Sequence, residues 1–204
     1  MKMTKVVDLA FNLRGDSIID EYAEILASEL YDVLPWMDQT VMIHPLKRVS
    51  RGQGITLISR HTRLLLRLPQ VRSKDALVLC GRQIDLGSMV SIGQAVEKDL
   101  VPAATIHASF VDQDQVEEQA FLHTCQQQLN DMAINAQLVA GLAKKSGATR
   151  GYSLMLAGLS PEDSYRVQSL GLGQGHWFGR GVFIPHKSTV AVGEGIVKSS
   201  AFVK

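Results

Sequence analysis

Apolar and polar residues alternate, in part, along Val6-Val-Asp-Leu-Ala-Phe-Asn-Leu13, which predicts a strand. A helical period takes over at 18–33, with apolar residues at 18, 19, 22, 25, 26, 30 and 33, and it stops before Leu34-Pro35. Strand-like runs follow at 40–44, 55–58 and 62–68, with a glycine-containing connection over 50–54 between the first two. The stretch 71–80 predicts a short helix, and 84–92 a strand pair broken at Gly87-Ser88. After a link at 99–102 the order restarts: strand 105–111, helix 116–132, strands 137–143 and 152–156, helix 161–170, strand 182–185. Ser160-Pro161-Glu162-Asp163 marks the start of the last helix, because serine caps, proline suits the first turn, and acids favour the positive end of the dipole.

That is β-α-β-β-α-β twice, without evident sequence repetition. It predicts an α+β chain of two tandem ferredoxin-like units, over 1–98 and 103–204. Each unit has a sheet with two helices on one face, leaving the other face open, the arrangement by which RNA-recognition folds present a platform. The length of 204 residues suits two units of about 100 residues each. No apolar run approaches the ~18 residues of a membrane span. The charged start Met1-Lys-Met-Thr-Lys5 leads into a strand and does not read as a signal peptide. Cys80 and Cys125 read as buried free thiols, which fits a reducing cytoplasm, and no Cys/His spacing suits zinc.

Charge changes the picture more than composition does. The net charge is only +1, yet residues 8–38 carry eight acids against Arg14 alone, and residues 39–74 carry eight bases and no acid. From 136 to 204 there are eight bases and three acids. A solvated face mixes signs, so the all-basic stretch points to nucleic acid; an acidic protein surface is the other partner it could serve.

The densest motif is Gly171-Leu-Gly-Gln-Gly-His-Trp-Phe-Gly-Arg-Gly181, five glycines in eleven residues, running into Val182-Phe-Ile-Pro-His-Lys-Ser188. Such a loop offers exposed backbone N–H groups and room for a phosphate or another main chain. It matches neither G-x-x-x-x-G-K-[ST] nor G-x-G-x-x-G, and its helix–loop–strand order is the reverse of what those nucleotide motifs need.

Read as G-apolar-G, five residues, then G-x-G before a strand, this stretch resembles the signature of the CRISPR-associated repeat-RNA processing endoribonucleases. These belong to the repeat-associated RAMP superfamily built on ferredoxin-like folds. The fuller run Gly151–Ser164, Leu170–Gly173 and Gly181–Ser188 is similar to one subfamily, as are Val7–Gly15, Ile43-His-Pro-Leu46 and Ser59–Pro69. Two features depart from the pattern. Position 180 is arginine instead of an apolar or small residue, and the insert Gln174-Gly-His-Trp-Phe178 lacks the usual lysine or arginine.

The resemblance implies metal-independent cleavage of precursor CRISPR RNA within each repeat, with no cofactor. The 2′-OH is the nucleophile, and a 2′,3′-cyclic phosphate and a 5′-hydroxyl are the products. It also implies a protein that holds the cleaved repeat hairpin, joins other effector-complex subunits, and needs no membrane. The chemistry calls for an acid and a base near neutral pH, which histidine supplies, and positive charge for the phosphorane. His44, about where the family places its catalytic histidine, is the first candidate of six; Lys47 would stabilise the transition state and Tyr31 would orient the 2′-OH. His61 is the second candidate. The RNA-binding set is Arg48, Arg51, Arg60, Arg63 and Arg67 from the basic stretch, Gly171, Gly173, Gly175, His176, Gly179, Arg180 and Gly181 from the loop, and His186 and Lys187 beyond it. Trp177 and Phe178 could stack a base or lie buried under the loop. The alternative functions are a non-catalytic subunit that holds the guide RNA, and a two-domain interaction protein with no RNA role.

Overall fold

In a computed structural model, which describes residues 4–47, 50–52, 54–113, 117–146 and 149–186, the N-terminal alternation becomes strand β1 (Val6–Arg14). Its Val7, Leu9, Phe11 and Leu13 enter the first hydrophobic core, which leaves Asp8, Ala10 and Asn12 on the opposite face. The helix expected from residue 18 starts later. Ser17–Ile19 is strand β2, as suits two adjacent β-branched isoleucines, and α1 covers Tyr22–Val33.

Strands β3 (Met42–Ile43), β4 (Ser50–Gly52), β5 (Ile55–Leu57) and β6 (Arg63–Pro69) follow. β5 pairs with β2 and β4 in a small sheet of its own, so the run at 55–58 is a strand outside the main sheet. The helix expected over 71–80 shrinks to one turn, α2 (Ser73–Ala76), between 3-10 turns at Gln70–Arg72 and Leu77–Leu79. Buried positions here are Ser73, Ala76 and Leu79, a spacing of three that matches 3-10 geometry better than an α stripe. Strands β7 (Gln83–Asp85) and β8 (Met89–Asp99) complete an antiparallel sheet of order β3-β6-β1-β8-β7.

The second half repeats the arrangement with β9 (Thr105–Asp112), α3 (Glu118–Asp131), β10 (Gln137–Ser146), β11 (Thr149–Ala157), α4 (Pro161–Leu170) and β12 (Ile184–Pro185). Its sheet order is β10-β11-β9-β12. Leaving out β7, the first sheet reads β3-β6-β1-β8, the same permutation, so both halves are ferredoxin-like. α4 starts where the sequence marks it: Ser160 Oγ accepts the Asp163 N–H at 3.1 Å. Strand β12 is shorter than the run 182–185, because Val182 and Phe183 sink into the interior before the chain reaches the edge of β9.

Two cores result, one drawn from residues 7–92 and one from 106–183. Cys125 is buried in the second, where burial, opposed by a hydrogen bond from Gln113, pushes its thiol up to about 11. Cys80 is half-buried, against the expectation of full burial. Among the described residues no helix is long and apolar enough to cross a membrane.

Candidate active site

The open face of the first sheet is where the two halves meet. Arg67, on β6, stands opposite Asp8 on β1 and Met42 on β3. It is 1% exposed. Its Nε–H donates to Asp8 Oδ1 at 2.7 Å and an Nη2–H to Asp8 Oδ2 at 3.0 Å, a bidentate pair. The Nη1 group donates to the carbonyls of Gln168 at 2.8 Å and Phe183 at 2.7 Å, both in the second half. The expectation that Arg67 grips phosphate is therefore corrected: its fork is spent inside the protein. A further tie crosses nearby, from Val6 N–H to the Tyr165 hydroxyl at 2.8 Å, and the Gln168 side-chain amide holds the link between the halves at the Val101 carbonyl, at 3.0 Å.

His44 follows β3 and keeps pairing with β6 through its N–H to the Leu65 carbonyl at 2.9 Å. Its ring lies on the Asp8 face, Nε2 3.2 Å from Asp8 Oδ1. Burial pulls the imidazole below its ordinary pKa; the Asp8 hydrogen bond opposes this and the Arg67 charge adds to it. A pKa pulled below the ordinary 6.5 favours the neutral ring at pH 7, and in that form the Asp8–His44 contact is a hydrogen bond between a carboxylate and a neutral imidazole. Burial also works against the Asp8 carboxylate, but hydrogen bonds from His44 and Arg67 prevail and hold it well below the usual range.

The glycine loop meets His44 here. A 3-10 turn at His176–Phe178 carries Trp177 across to the first half, where the indole N–H donates to the Asp38 carbonyl at 2.9 Å. The indole ring lies 5.6 Å from that of Tyr31 near the end of α1. Gly179 sits against Pro45, close enough that a Cβ there would be 3.1 Å from Pro45 Cγ. A shallow hollow results, lined by Tyr22, Ala23, Leu26, Ile43, His44 and Pro45 from the first half and by Trp177, Phe178 and Gly179 from the loop. Trp177 thus straps the halves together.

The loop is not the open cradle of N–H groups that its composition suggests. The amides of Gly171, Leu172, Gly173, Gln174, Phe178, Gly179, Arg180 and Gly181 all donate to acceptors within the protein. Its glycines serve close packing: a Cβ on Gly181 would collide with the Leu172 carbonyl and meet the His176 ring. That ring is largely buried between Gly171 and Gly181, and burial lowers its pKa. Arg180 is likewise engaged, donating from Nη1 to Asp112 Oδ2 at 3.0 Å and Thr149 Oγ1 at 2.9 Å, with its guanidinium over the Phe110 and Phe178 rings. Gly171, Gly173, Gly179, Gly181, His176 and Arg180 are therefore parts of the loop's architecture, and the amides of these glycines are not the free phosphate donors that the composition suggests. Gly175 adopts a left-handed conformation at the start of the 3-10 turn.

Some of the expected cations do face solvent, and they follow His44 in the chain. Lys47 is exposed three residues on, and its carbonyl accepts the Thr62 hydroxyl at 3.2 Å. That bond brings the turn at 59–62 alongside. Arg60 and His61 are exposed there, the Arg60 Nε–H donating to His61 Nε2 at 3.3 Å. Arg63 is half-buried and spends Nη1 on the Arg60 and Thr62 carbonyls, so it shapes the turn. His186 is exposed on the far sheet, its ring 5.9 Å from that of His107, and does not join this cluster. Arg48, Lys187 and the side chain of Arg51 lie outside the described residues. Among the described residues, no group of three or more His, Cys, Asp or Glu is placed to hold a metal.

Asp8 and Gln168 were not singled out from the sequence. The available signal was Arg67 itself, a lone charge within Leu64-Leu-Leu-Arg-Leu-Pro69. A charge flanked by apolar residues on both sides needs a buried partner, and Asp8 is the lone acid of an equally apolar strand.

Comparisons with known proteins bear on this arrangement as a whole. The family model described as Cas6 Crispr matches residues 7–188. The CRISPR-associated endonuclease Cas6 of Myxococcus xanthus (strain DK1622) is 28% identical over 187 residues, which is 88% of this chain and 81% of that protein. Among solved structures, a CRISPR associated protein Cas6 superposes with a TM-score of 0.63 at 11% identity, covering 90% of this chain and 100% of its own. A RAMP protein binding different RNA substrates gives 0.64 at 12%, covering 89% and 100%, and the product of a Cas6-related gene from Pyrococcus furiosus 0.59 at 12%, covering 87% and 97%. At such identities these structures speak for the fold alone. The family match is what extends through β1, His44, β6 and the glycine loop together, and by it the chain belongs to the Cas6 family.

Proposed function

We propose that the chain is an endoribonuclease that cuts CRISPR repeat RNA without a metal, with His44 as its acid/base. In this reading it then keeps the repeat hairpin and joins other effector subunits. The observation that carries the reading is the position of His44. It lies where the glycine loop crosses onto α1, with Lys47, Arg60 and His61 exposed alongside. A relative that is an endonuclease supports the same class.

In the reaction, the 2′-OH gives its proton to a base and its oxygen attacks the adjacent phosphorus in line. The P–O5′ bond breaks and the 5′-oxygen takes a proton, leaving a 2′,3′-cyclic phosphate. A ring kept neutral at pH 7 is the form that accepts the first proton. Lys47, exposed at the surface, would neutralise charge on the phosphate. The hollow has room for little more than a water molecule, so the substrate backbone reaches His44 by displacing Phe178, which with Pro45 makes up the exposed part of its lining.

The test is cleavage of end-labelled repeat RNA in EDTA. Wild type should cut and yield a 3′ end resistant to direct phosphatase treatment; His44→Ala should bind the RNA and not cut. Full activity in His44→Ala, or cleavage that depends on added metal, overturns the proposal. Loss of cleavage in His61→Ala with His44→Ala still active would move the role to His61. The burial of His44, at 6% exposure, favours a second reading in which the chain is a non-catalytic guide-RNA-binding subunit. Tight binding by wild type with no cleavage selects it.

A further inference from the structure

We infer that Asp8 is a positioning residue that fixes the ring of His44, and that Arg67 makes this fixing depend on the docking of the second half. The inference rests on the reading of His44 as the acid/base.

An ionised carboxylate only accepts hydrogen bonds. With Asp8 Oδ1 3.2 Å from His44 Nε2, the neutral ring must carry its proton on Nε2, which leaves the lone pair on Nδ1. A base oriented by a buried carboxylate is the arrangement that general-base histidines use in unrelated enzymes, where the carboxylate selects the tautomer and stabilises the imidazolium once formed. Asp8 is itself held. Oδ1 also receives the Arg67 Nε–H and Oδ2 an Nη2–H, so the carboxylate plane follows the guanidinium plane.

The opposite corner of that rigid fork is committed to the second half. Nη1 donates to the carbonyls of Gln168, in α4, and Phe183, just beyond the loop. These two residues bracket the glycine loop, whose Trp177, Phe178 and Gly179 complete the hollow over His44. When the loop's ends leave, Nη1 loses both acceptors and the fork keeps its bonds to Asp8 alone; the Arg67–Asp8 pair is then untethered on its far side, and the His44 ring loses its frame. Docking of the loop and correct orientation of the base are one event.

The titratable and charged groups that face His44 are Asp8 from β1, Arg67 from β6 and the Tyr22 hydroxyl from α1; the loop contributes none. The Asp8 charge raises the proton affinity of His44 and the Arg67 charge lowers it. Asp8→Asn should therefore move the acidic limb of the kcat/KM profile to lower pH while lowering kcat by at least about tenfold, with KM little changed. Arg67→Lys, at a residue whose hydrogen bonds go to Asp8, Gln168 and Phe183 and not to His44, should also lower kcat, since an ammonium lacks the planar fork that holds Asp8 and both carbonyls.

The experiment measures kcat, KM and pH profiles on a repeat RNA for wild type, His44→Ala, Asp8→Asn and Arg67→Lys, with nitrogen-15 NMR of the His44 ring in the wild-type full chain. Support is an Nε2–H tautomer together with the kcat losses and the shifted acidic limb. If His44→Ala abolishes cleavage while Asp8→Asn leaves kcat and pH profile unchanged, the positioning role is wrong and the proposed function stands. If Asp8→Asn is impaired but Arg67→Lys is not, the dependence on docking is wrong. Full activity in His44→Ala removes both. Should Asp8→Asn fail to fold, an Nδ1–H tautomer in the wild-type ring overturns the inference by itself.

Discussion

Replacing Arg67 with methionine tests the junction between the halves directly. Methionine fills much of the same space but supplies no donor, so four hydrogen bonds vanish. Asp8, with its side chain 15% exposed, is left as a nearly buried carboxylate whose remaining partner is a neutral imidazole. Removing one member of a buried pair costs about 3–5 kcal/mol. The orphaned carbonyls of Gln168 and Phe183 add to this unless water reaches them. For a chain of this size the loss corresponds to a fall in Tm on the order of 10 °C. The deficit should also depend on pH. In the wild type Asp8 is held below its ordinary value, so its contribution is present above about pH 4 and lost only in stronger acid. In the variant, burial without Arg67 raises the Asp8 pKa, and His44, relieved of the neighbouring positive charge, protonates more readily. Both changes relieve the variant as pH falls from 7 to 4, so the gap from wild type should narrow over that window. Urea unfolding followed by tryptophan fluorescence suits the question, because Trp177 reports the strap onto α1 and Trp36 packs on the first core. A gap under about 1 kcal/mol, or one that does not change with pH, would show that this ion pair does not hold the halves together.

Gly179→Ala should destabilise the chain by about 1–2 kcal/mol, because its φ is +75° and the new Cβ would press on Pro45. Kinetic assays should show that it slows cleavage more than it weakens RNA binding, since the lining of the hollow over His44 shifts while Lys47 and Arg60 stay in place. Filter binding at several salt concentrations should find that Lys47→Ala and Arg60→Ala each weaken RNA affinity and lower the slope of log K against log salt by about one; unchanged slopes would place the RNA elsewhere. His44 and His176 both have depressed pKa values through burial, so each favours the folded state less as pH falls below the ordinary histidine value of 6.5. Thermal melts should therefore drop between about pH 7 and 5, and less so in His44→Asn.

What the sequence conveys about β6 shows where its information ends. In the structure Leu64, Leu66 and Leu68 face the core, with Arg63, Leu65 and Arg67 on the other side, an alternation that the continuous run Leu64-Leu-Leu66 obscures in the sequence. Local pattern treats both arginines alike. It cannot assign them different environments, because what separates them is a second half of the chain that covers the Arg67 end of the face and leaves the Arg63 end beside the turn at 59–62. The acceptors that fix Arg67 lie 101 and 116 residues away. The glycine loop is ambiguous for another reason. A cradle of free amides and a tightly folded strap both require residues without a Cβ and with positive φ, so the same five glycines satisfy either. Only the destination of each N–H distinguishes them, and here eight of the eleven loop amides, at 171–174 and 178–181, bond within the protein. His44 was legible as a histidine beside a basic stretch. Its partner was not, because Asp8 sits in an apolar strand among the acids of the N-terminal segment, where charge counting assigns it to the surface. The register of β1 against β6, which sets Asp8 opposite Arg67, moves that acid from the charge count into the candidate site.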